Sequence, residues 1–299
     1  MTRVDRSLQF SPASVAYASL LIASLFCNVP AGAQGSAERG AYLAIAAGCK
    51  SCHTDTENDG ASYAGGHRLE TPMGDFYTPN ITPDSSTGIG NWTEAEFVAA
   101  VRYGRNPAGG YYYPAFPYAS YAGMTEQDAR DIKAYLDTLE PVTAVNAENQ
   151  LAWYVPGRWA MTIWQWLYAP WEYAEPTTTQ DAEWQRGAYL VRYLGHCGEC
   201  HTPRNSLGAL DTEQELAGGA RPDDEDTAPN LTASGNNGIG RWSAKDLEFF
   251  LEMGMYPDGD FVGGNMVAVI DDNTAELTAA DRRAIGNFLR SLNRPYNEN

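Results

Sequence analysis

Two five-residue strings decide how this chain folds: Cys49-Lys50-Ser51-Cys52-His53 and Cys197-Gly198-Glu199-Cys200-His201. In each string, two thiols are separated by two residues and a histidine follows directly. At this spacing the thiols can add to the two vinyl groups of one haem, and the histidine can bind the iron. The strings therefore predict two covalently bound haem c groups, with His53 and His201 as proximal ligands.

Cysteine pairs of this spacing also occur in zinc sites and in redox dithiols. Neither needs a histidine after both pairs, and neither explains why the pairs occupy equivalent places in a repeated sequence. Cys49, Cys52, Cys197 and Cys200 make up all but one of the five cysteines, and the fifth, Cys27, precedes a predicted cleavage site. We therefore favour haem attachment over both alternatives.

The N-terminus indicates a secretory signal peptide. Arg3 and Arg6 precede an apolar run over residues 15–26, and Ala31-Gly32-Ala33 is an A-x-A cleavage pattern. We expect residues 1–33 to be removed and the mature chain to be periplasmic; an uncleaved anchor is the alternative.

The formal net charge of −18 restricts the class of partner. An acidic surface argues against nucleic acid and against anionic lipid, and it suits a basic docking face on a redox partner. Solubility in a salty environment explains the charge equally well.

The second half of the chain repeats the first. Residues 39–43 and 186–190 both read Arg-Gly-Ala-Tyr-Leu, and Pro79-Asn80-Ile81-Thr82 matches Pro229-Asn230-Leu231-Thr232. Between Asn80 and Trp92 the offset to the second copy is a constant 150 residues. An internal repeat of this length predicts two similar domains.

Helix signals occur in both copies. Thr93 and Ser243 are predicted N-caps with an acidic residue three positions later, and Gly104 and Gly254 are predicted helix ends. Thr125 and Thr278 open two further helices with apolar residues at helical spacing. Each copy is therefore predicted to be an all-α domain around a haem. The predicted segments are a signal peptide (1–33), a first domain (34–141), a Trp-rich linker (142–180) and a second domain (181–299).

The linker holds five of the eight tryptophans, at positions 153, 159, 164, 166 and 171. We favour its packing across both domains over an exposed docking surface.

The repeat also predicts a distal iron ligand in one copy only. Met266 is well placed to bind the second iron and to raise its reduction potential. The offset of 150 brings Phe116 to the equivalent position, and phenylalanine cannot bind iron. Three alternatives stay open for the first haem: a substitute ligand (His67, Met73 or Met124), an open coordination position, or a ligand from a partner.

These strings resemble the cytochrome c subunits of bacterial periplasmic alcohol, gluconate, sorbitol and aldehyde dehydrogenases. The resemblance rests on residues 71–74, 79–84, 87–92, 113–118, 184–190 and 195–204. It implies two tandem class I cytochrome c domains, haem at both cysteine pairs, and His53, His201 and Met266 as ligands. It also implies that electrons pass from a dehydrogenase catalytic subunit to a downstream acceptor, such as a cytochrome, an oxidase or the quinone pathway.

The chain departs from that family in two respects. Family members often carry a third haem and a C-terminal membrane-binding segment, whereas this chain has two motifs and a polar tail. Phe116 replaces the family's distal methionine. An electron carrier is therefore the expected function, and a peroxidase-like enzyme with an open first haem beside Tyr111, Tyr112, Tyr113 and Tyr118 is the alternative.

Overall fold

The computed structural model describes residues 34–169, 180–220, 227–233 and 238–292. The predicted signal peptide, Trp171 and the polar C-terminal tail lie outside these ranges. The helices are α1 (Ala37–Ala46), α2 (Cys49–Cys52), α3 (Glu94–Tyr103), α4 (Tyr118–Tyr121), α5 (Glu126–Leu136), α6 (Met161–Tyr168), α7 (Ala182–Tyr189), α8 (Gly198–His201), α9 (Ala244–Met253), α10 (Met266–Val269) and α11 (Ala279–Ser291). Within the described ranges, no helix is both long enough and apolar enough to cross a bilayer.

The helix-rich architecture is as predicted, but the loops contain two small antiparallel sheets that the sequence did not suggest. Strands β1 (Arg68–Thr71), β2 (Gly74–Tyr77) and β3 (Gln150–Leu151) form one sheet in that order. Strands β4 (Gly219–Ala220) and β5 (Thr227–Ala228) form the other. The strands are only two to four residues long, which is why no alternating pattern marked them in the sequence.

The predicted N-caps are confirmed. Thr93 accepts a hydrogen bond from the Glu96 amide at 3.2 Å, and the Glu96 carboxylate accepts from the Thr93 amide at 2.8 Å. Ser243 and Asp246 form the same capping box at the start of α9. These side chains satisfy backbone N–H groups that the first helical turn leaves without partners, so they fix where each helix begins.

The predicted helix ends are also confirmed. Gly104 follows α3 with φ +62°, and Gly254 follows α9 with φ +66°. Both are left-handed conformations that suit glycine. At Gly104 a Cβ atom would in addition lie 2.6 Å from the Tyr118 ring.

In each half, the first helix crosses the last at very short range. A Cβ atom on Gly40 of α1 would lie 1.8 Å from the Asp131 carbonyl oxygen of α5. A Cβ atom on Gly187 of α7 would lie 1.9 Å from the Ala284 carbonyl oxygen of α11. Only glycine allows two helix backbones to approach this closely.

Two buried carboxylates join the halves reciprocally. Asp281 of α11 accepts hydrogen bonds from Arg186 of its own half at 2.7 and 2.9 Å, and from the Tyr42 hydroxyl of the other half at 2.6 Å. The Tyr42 hydroxyl in turn accepts from the Thr278 amide at 3.1 Å. Burial by itself raises the pKa of Asp281, but the bonds from Arg186 and Tyr42 outweigh it and lower that pKa below its usual range.

The same arrangement recurs with the halves exchanged. Asp128 of α5 pairs with Arg39 of its own half and accepts from the Tyr189 hydroxyl of the other half. That hydroxyl accepts from the Thr125 amide at 3.1 Å. We call the two Tyr–Asp contacts, Tyr42–Asp281 and Tyr189–Asp128, the reciprocal latch.

The buried core runs without a break through both halves. Leu43, Met124 and Ile132 belong to the same cluster as Leu194 and Phe288. Met124 and Phe288 are no more than 1% exposed. Apolar burial therefore holds the halves together in addition to the latch.

The segment after α5 contacts both halves. The Trp164 indole N–H donates to the Leu207 carbonyl at 2.9 Å, and the Gln165 amide donates to the Tyr103 carbonyl at 2.7 Å. Of the tryptophans in this segment, Trp164 therefore packs across both halves, as favoured from the sequence. The other tryptophans in the described part of the segment are exposed: Trp153 (95%), Trp159 (73%) and Trp166 (66%).

We expect Tyr42→Phe and Tyr189→Phe each to lower the free energy of unfolding by about 1.5–3 kcal/mol, because each removes a hydrogen bond to a buried charged group. Urea unfolding followed by far-UV circular dichroism measures this. Tyr103→Phe, at a half-exposed position outside the latch, is the control. Equal stability of all three variants would show that the latch contributes nothing.

We expect Gly40→Ala and Gly187→Ala to destabilise the protein by about 3 kcal/mol or more, because neither backbone can yield to the new methyl group. Helix propensity alone predicts the opposite sign, a gain of about 1 kcal/mol. The control is Gly286→Ala in α11, where a Cβ atom would come no closer than 3.4 Å to its neighbours. Thermal unfolding of the three variants measures these changes. A Gly40→Ala variant more stable than the wild type would contradict the close crossing of α1 and α5.

Candidate haem-binding sites

The first motif forms the short helix α2, which follows α1 after a sharp turn. Gly48 makes this turn with φ +65°. His53 lies directly after the helix, and its amide donates to the Cys49 carbonyl at 3.0 Å. The turn brings Cys49, Cys52 and His53 together on one short stretch of backbone, as covalent attachment of a haem requires.

The second motif reaches the same conformation by a different route. Helix α7 continues into a π-helical turn over Leu190–Leu194, and α8 holds the end of the motif. The His201 amide donates to the Cys197 carbonyl at 3.0 Å, which matches the bond in the first motif. His201 is 8% exposed.

Both motif histidines have one ring nitrogen fixed by the backbone. His53 Nδ1 lies 2.7 Å from the Pro79 carbonyl oxygen, and His201 Nδ1 lies 2.7 Å from the Pro229 carbonyl oxygen. A carbonyl only accepts, so Nδ1 carries the proton in each ring and Nε2 keeps its lone pair. Burial lowers the pKa of His53, which also favours the neutral ring. These are the tautomer and the charge state that an iron-binding histidine needs.

Sequence reasoning missed the roles of Pro79 and Pro229. The signal was present, because both prolines begin the repeated Pro-Asn-x-Thr string, 150 residues apart. The pattern could not show that the carbonyl groups, rather than the side chains, carry the function.

Burial changes the acidity of three of the four motif thiols. Burial raises the pKa of Cys49 to about 12, that of Cys52 to about 11 and that of Cys197 to about 12. Reactive dithiols and metal thiolates instead have a lowered pKa. Within the described ranges, no three His, Cys, Asp or Glu side chains converge as a metal cluster.

Met266 begins helix α10 and is partly buried, after the loop that holds Gly263 and Gly264. Its binding to the second iron stays a prediction. At the equivalent position Phe116 is surrounded by aromatic rings. Its ring centroid lies 5.7 Å from that of Tyr112, 6.3 Å from that of Tyr118 and 6.0 Å from that of Tyr121. The first half therefore places an apolar cluster where the second half places a thioether.

The three candidate substitute ligands, Met124, His67 and Met73, lie in different surroundings. Met124 is 1% exposed within the core shared by the halves. The Thr78 amide donates to the His67 carbonyl at 3.0 Å, directly beside Pro79, so the His67 backbone lies on the side of His53 rather than opposite to it. Met73 lies in the turn between β1 and β2, and its carbonyl accepts from the Ala152 amide at 2.9 Å.

Each motif contacts the other half of the chain. Lys50 pairs with Asp272 at 2.8 Å, and the Ser51 hydroxyl donates to Asn273 at 3.4 Å. In the second motif, Glu199 accepts a short hydrogen bond from Ser120 of α4. Both motifs therefore lie at the interface between the halves.

Known proteins resemble this chain over most of its length. A model of the cytochrome c family matches residues 37–140. The chain is 43% identical over 266 residues to a dihaem c-type cytochrome of Cereibacter sphaeroides, with 88% of each chain covered. It is 38% identical over 263 residues to the cytochrome c subunit of gluconate 2-dehydrogenase of Pantoea cypripedii, and 40% identical over 261 residues to the cytochrome subunit of fructose dehydrogenase of Gluconobacter japonicus.

The last two alignments cover 85% and 86% of this chain but only 59% and 52% of the relatives. The chain thus spans a little over half the length of these dehydrogenase subunits, and nearly the full length of the dihaem relative. The resemblance inferred from the sequence strings is confirmed.

Proposed function

The chain belongs to the family of c-type cytochromes, and we propose that it is a periplasmic dihaem electron carrier that accepts electrons from a dehydrogenase catalytic subunit and passes them to a downstream acceptor. Its relatives include cytochrome subunits of dehydrogenases, and electron transfer is the function they imply. One observation carries the dihaem proposal: both motif histidines donate from Nδ1 to a proline carbonyl at the same distance of 2.7 Å.

Two tandem class I cytochrome c domains, residues 34–141 and 181–299, account for this correspondence. The paired helix crossings at Gly40 and Gly187 and the paired capping boxes at Thr93 and Ser243 support the duplication. Residues 142–180 would then connect the two domains.

We assign the roles of the chain's residues as follows. Cys49 and Cys52 hold one haem, and Cys197 and Cys200 hold the other. Bound haem supplies a one-electron iron couple, and the protein tunes it through the axial ligands and their surroundings. His53 and His201 each present Nε2 to the iron, and the bond from Nδ1 to a proline carbonyl fixes the ring orientation.

The two haem sites should differ in reduction potential because the distal position holds Phe116 in the first half and Met266 in the second. A thioether from Met266 raises the potential of the second site. Phe116 offers no donor. The burial of Met124 in the shared core and the position of the His67 backbone beside Pro79 support a site without a substitute from either residue. We infer that the first site is open and lower in potential, and that electrons therefore pass from the first site to the second.

The partner's docking face should be basic. The net charge of −18 favours a partner of opposite charge, and such attraction speeds association more than it tightens binding.

The haem content of the purified protein tests the dihaem proposal. We expect two haems per chain for the wild type, and one each for Cys49→Ala/Cys52→Ala and Cys197→Ala/Cys200→Ala. Intact-chain mass spectrometry and haem absorbance give the ratio. Bound zinc, or loss of both haems on removal of one cysteine pair, would contradict two independent sites.

Exchanging the distal residues tests the assignment of potentials. We expect Phe116→Met to raise the lower of the two midpoint potentials and Met266→Phe to lower the higher one, because a thioether is gained in one case and lost in the other. A potentiometric titration with optical detection measures both. The assignment is wrong if Met266→Phe leaves the higher potential unchanged.

Ferric EPR, together with carbon monoxide binding to the reduced protein, reports whether the first site is open. We expect a high-spin signal from one of the two haems, and carbon monoxide binding at that haem only. Met73→Leu is the matched test of the remaining candidate ligand. Two low-spin haems in the wild type, with one becoming high-spin in Met73→Leu, would make Met73 the ligand and would contradict the open site.

A further inference from the structure

Helix α6 is apolar on two opposite sides, and one of these sides is open to solvent. Met161 (6% exposed) and Trp164 (9%) face the protein. The opposite side, at helical spacing, presents Trp159 (73%), Ile163 (56%), Trp166 (66%) and Leu167 (52%). A helix that is apolar all round is normally covered on every side. The exposed side of α6 therefore indicates a surface that another molecule covers.

Two exposed residues from other segments border α6. The Gln165 amide donates to the Tyr103 carbonyl, and the Trp164 indole donates to the Leu207 carbonyl, which brings Tyr103 and Leu207 beside the helix. Their own side chains are 42% and 55% exposed. We call the exposed set the aromatic face: Tyr103, Trp159, Ile163, Trp166, Leu167 and Leu207.

The chain segments that build the aromatic face carry no acidic residue. These segments are residues 103–125, 149–169 and 202–210. Their only charged residues are Arg105, Arg158 and Arg204. The whole chain, in contrast, has 38 acidic residues among 299, so several would be expected in segments of this length. The acidic residues behind the net charge of −18 therefore belong to other parts of the chain.

Two carboxylates at the border of the aromatic face are paired with arginines. Glu199 of α8 pairs with Arg204 and accepts a hydrogen bond from Ser120. Glu126 of α5 pairs with Arg102 at 3.3 Å. These two groups thus add little negative charge to the aromatic face.

The composition of the aromatic face fits a phospholipid surface. Tryptophan and tyrosine beside aliphatic residues are typical of the boundary between bilayer and water, where the ring is buried and the polar N–H or O–H stays hydrated. Segments without carboxylates do not repel anionic headgroups, and arginines attract them. The basic redox partner inferred above finds its complement on the acidic parts of the chain instead. The two kinds of surface therefore suit different partners.

We propose that the aromatic face binds the surface of a phospholipid bilayer. Trp159, Ile163, Trp166 and Leu167 insert at the level of the headgroups, and α6 lies in the plane of the interface. The overall charge argues against anionic lipid, and the proposal confines the contact to a face without acidic residues. The acidic remainder points away from the bilayer, which orients the protein. The proposal goes beyond electron transfer and does not depend on the haem content.

Flotation of the purified full-length protein with vesicles of phosphatidylethanolamine and phosphatidylglycerol tests the proposal. We expect the wild type to float with the vesicles. Trp159→Ser/Trp166→Ser should bind about tenfold more weakly, because two apolar rings no longer enter the bilayer. Both side chains are exposed, so the melting temperature and the haem absorbance should stay unchanged.

The matched control removes two exposed rings outside the aromatic face. Phe249 of α9 is 42% exposed and Phe261 is 63% exposed, both in the second half. We expect Phe249→Ser/Phe261→Ser to float as the wild type does. A loss equal to that of Trp159→Ser/Trp166→Ser would show unspecific hydrophobic adsorption and would overturn the proposed site.

The headgroup charge is tested with the exposed Arg105. We expect Arg105→Gln to weaken binding several-fold on vesicles with phosphatidylglycerol and to leave binding to pure phosphatidylcholine vesicles unchanged, because only the first carry anionic headgroups. The same loss on both kinds of vesicle would overturn the contribution assigned to charge.

Three results would overturn the membrane proposal while leaving the electron carrier intact. The first is a wild type that does not float with either kind of vesicle. The second is a concentration-dependent dimer in analytical ultracentrifugation that Trp159→Ser/Trp166→Ser abolishes, which would assign the aromatic face to a second copy of the chain. The third is unchanged flotation of that variant together with slower reduction by a dehydrogenase, which would assign the face to the redox partner.

Discussion

The structure depends on two buried carboxylates that neither half of the chain can satisfy alone. Asp128 is 3% exposed and Asp281 is 9% exposed. A buried charge is costly unless it is paired and hydrogen-bonded. Each carboxylate takes an arginine from its own half and a tyrosine from the other, so separating the halves would leave both with an unmet acceptor. The halves are therefore expected to fold and to remain as one body.

The latch also determines where the haem motifs lie. Arg39 lies in the first turn of α1, Tyr42 lies in its middle, and Ala47 follows its end. A helix of this length is a stiff rod of about 15 Å. A contact fixed at Tyr42 therefore fixes Ala47, and with it the turn into the first motif. The same helix carries Gly40, whose close crossing with α5 prevents sliding. The contacts of α1 thus stabilise the fold and also fix the positions of the two motifs relative to each other.

Local signals could be predicted from the sequence, and contacts between the halves could not. The capping boxes and glycine helix ends depend on a few adjacent residues, and they were found where the pattern placed them. The Arg-Gly-Ala-Tyr-Leu repeat was visible, but a repeat does not reveal that its tyrosine bonds to the opposite copy. The carbonyls of Pro79 and Pro229 were hidden for a different reason, because a backbone acceptor leaves no side-chain signature.

One residue breaks the correspondence of the halves, and it does so just before the second motif. Arg39 precedes Cys49 by ten positions, whereas Arg186 precedes Cys197 by eleven. The structure absorbs the extra residue in the π-helical turn Leu190–Leu194, which follows α7. Such turns accommodate one residue more than an α-helix and occur frequently at functional sites. Beyond the turn, the chain reaches Cys197 through the strained His196. The first half has glycine at the position before its motif, Gly48, which turns without strain and offers no side chain. The extra residue therefore places an imidazole where its counterpart has none, edge-on to the ring of Tyr121. This asymmetry sets the approach to the second motif apart from the approach to the first, within two halves that are otherwise similar.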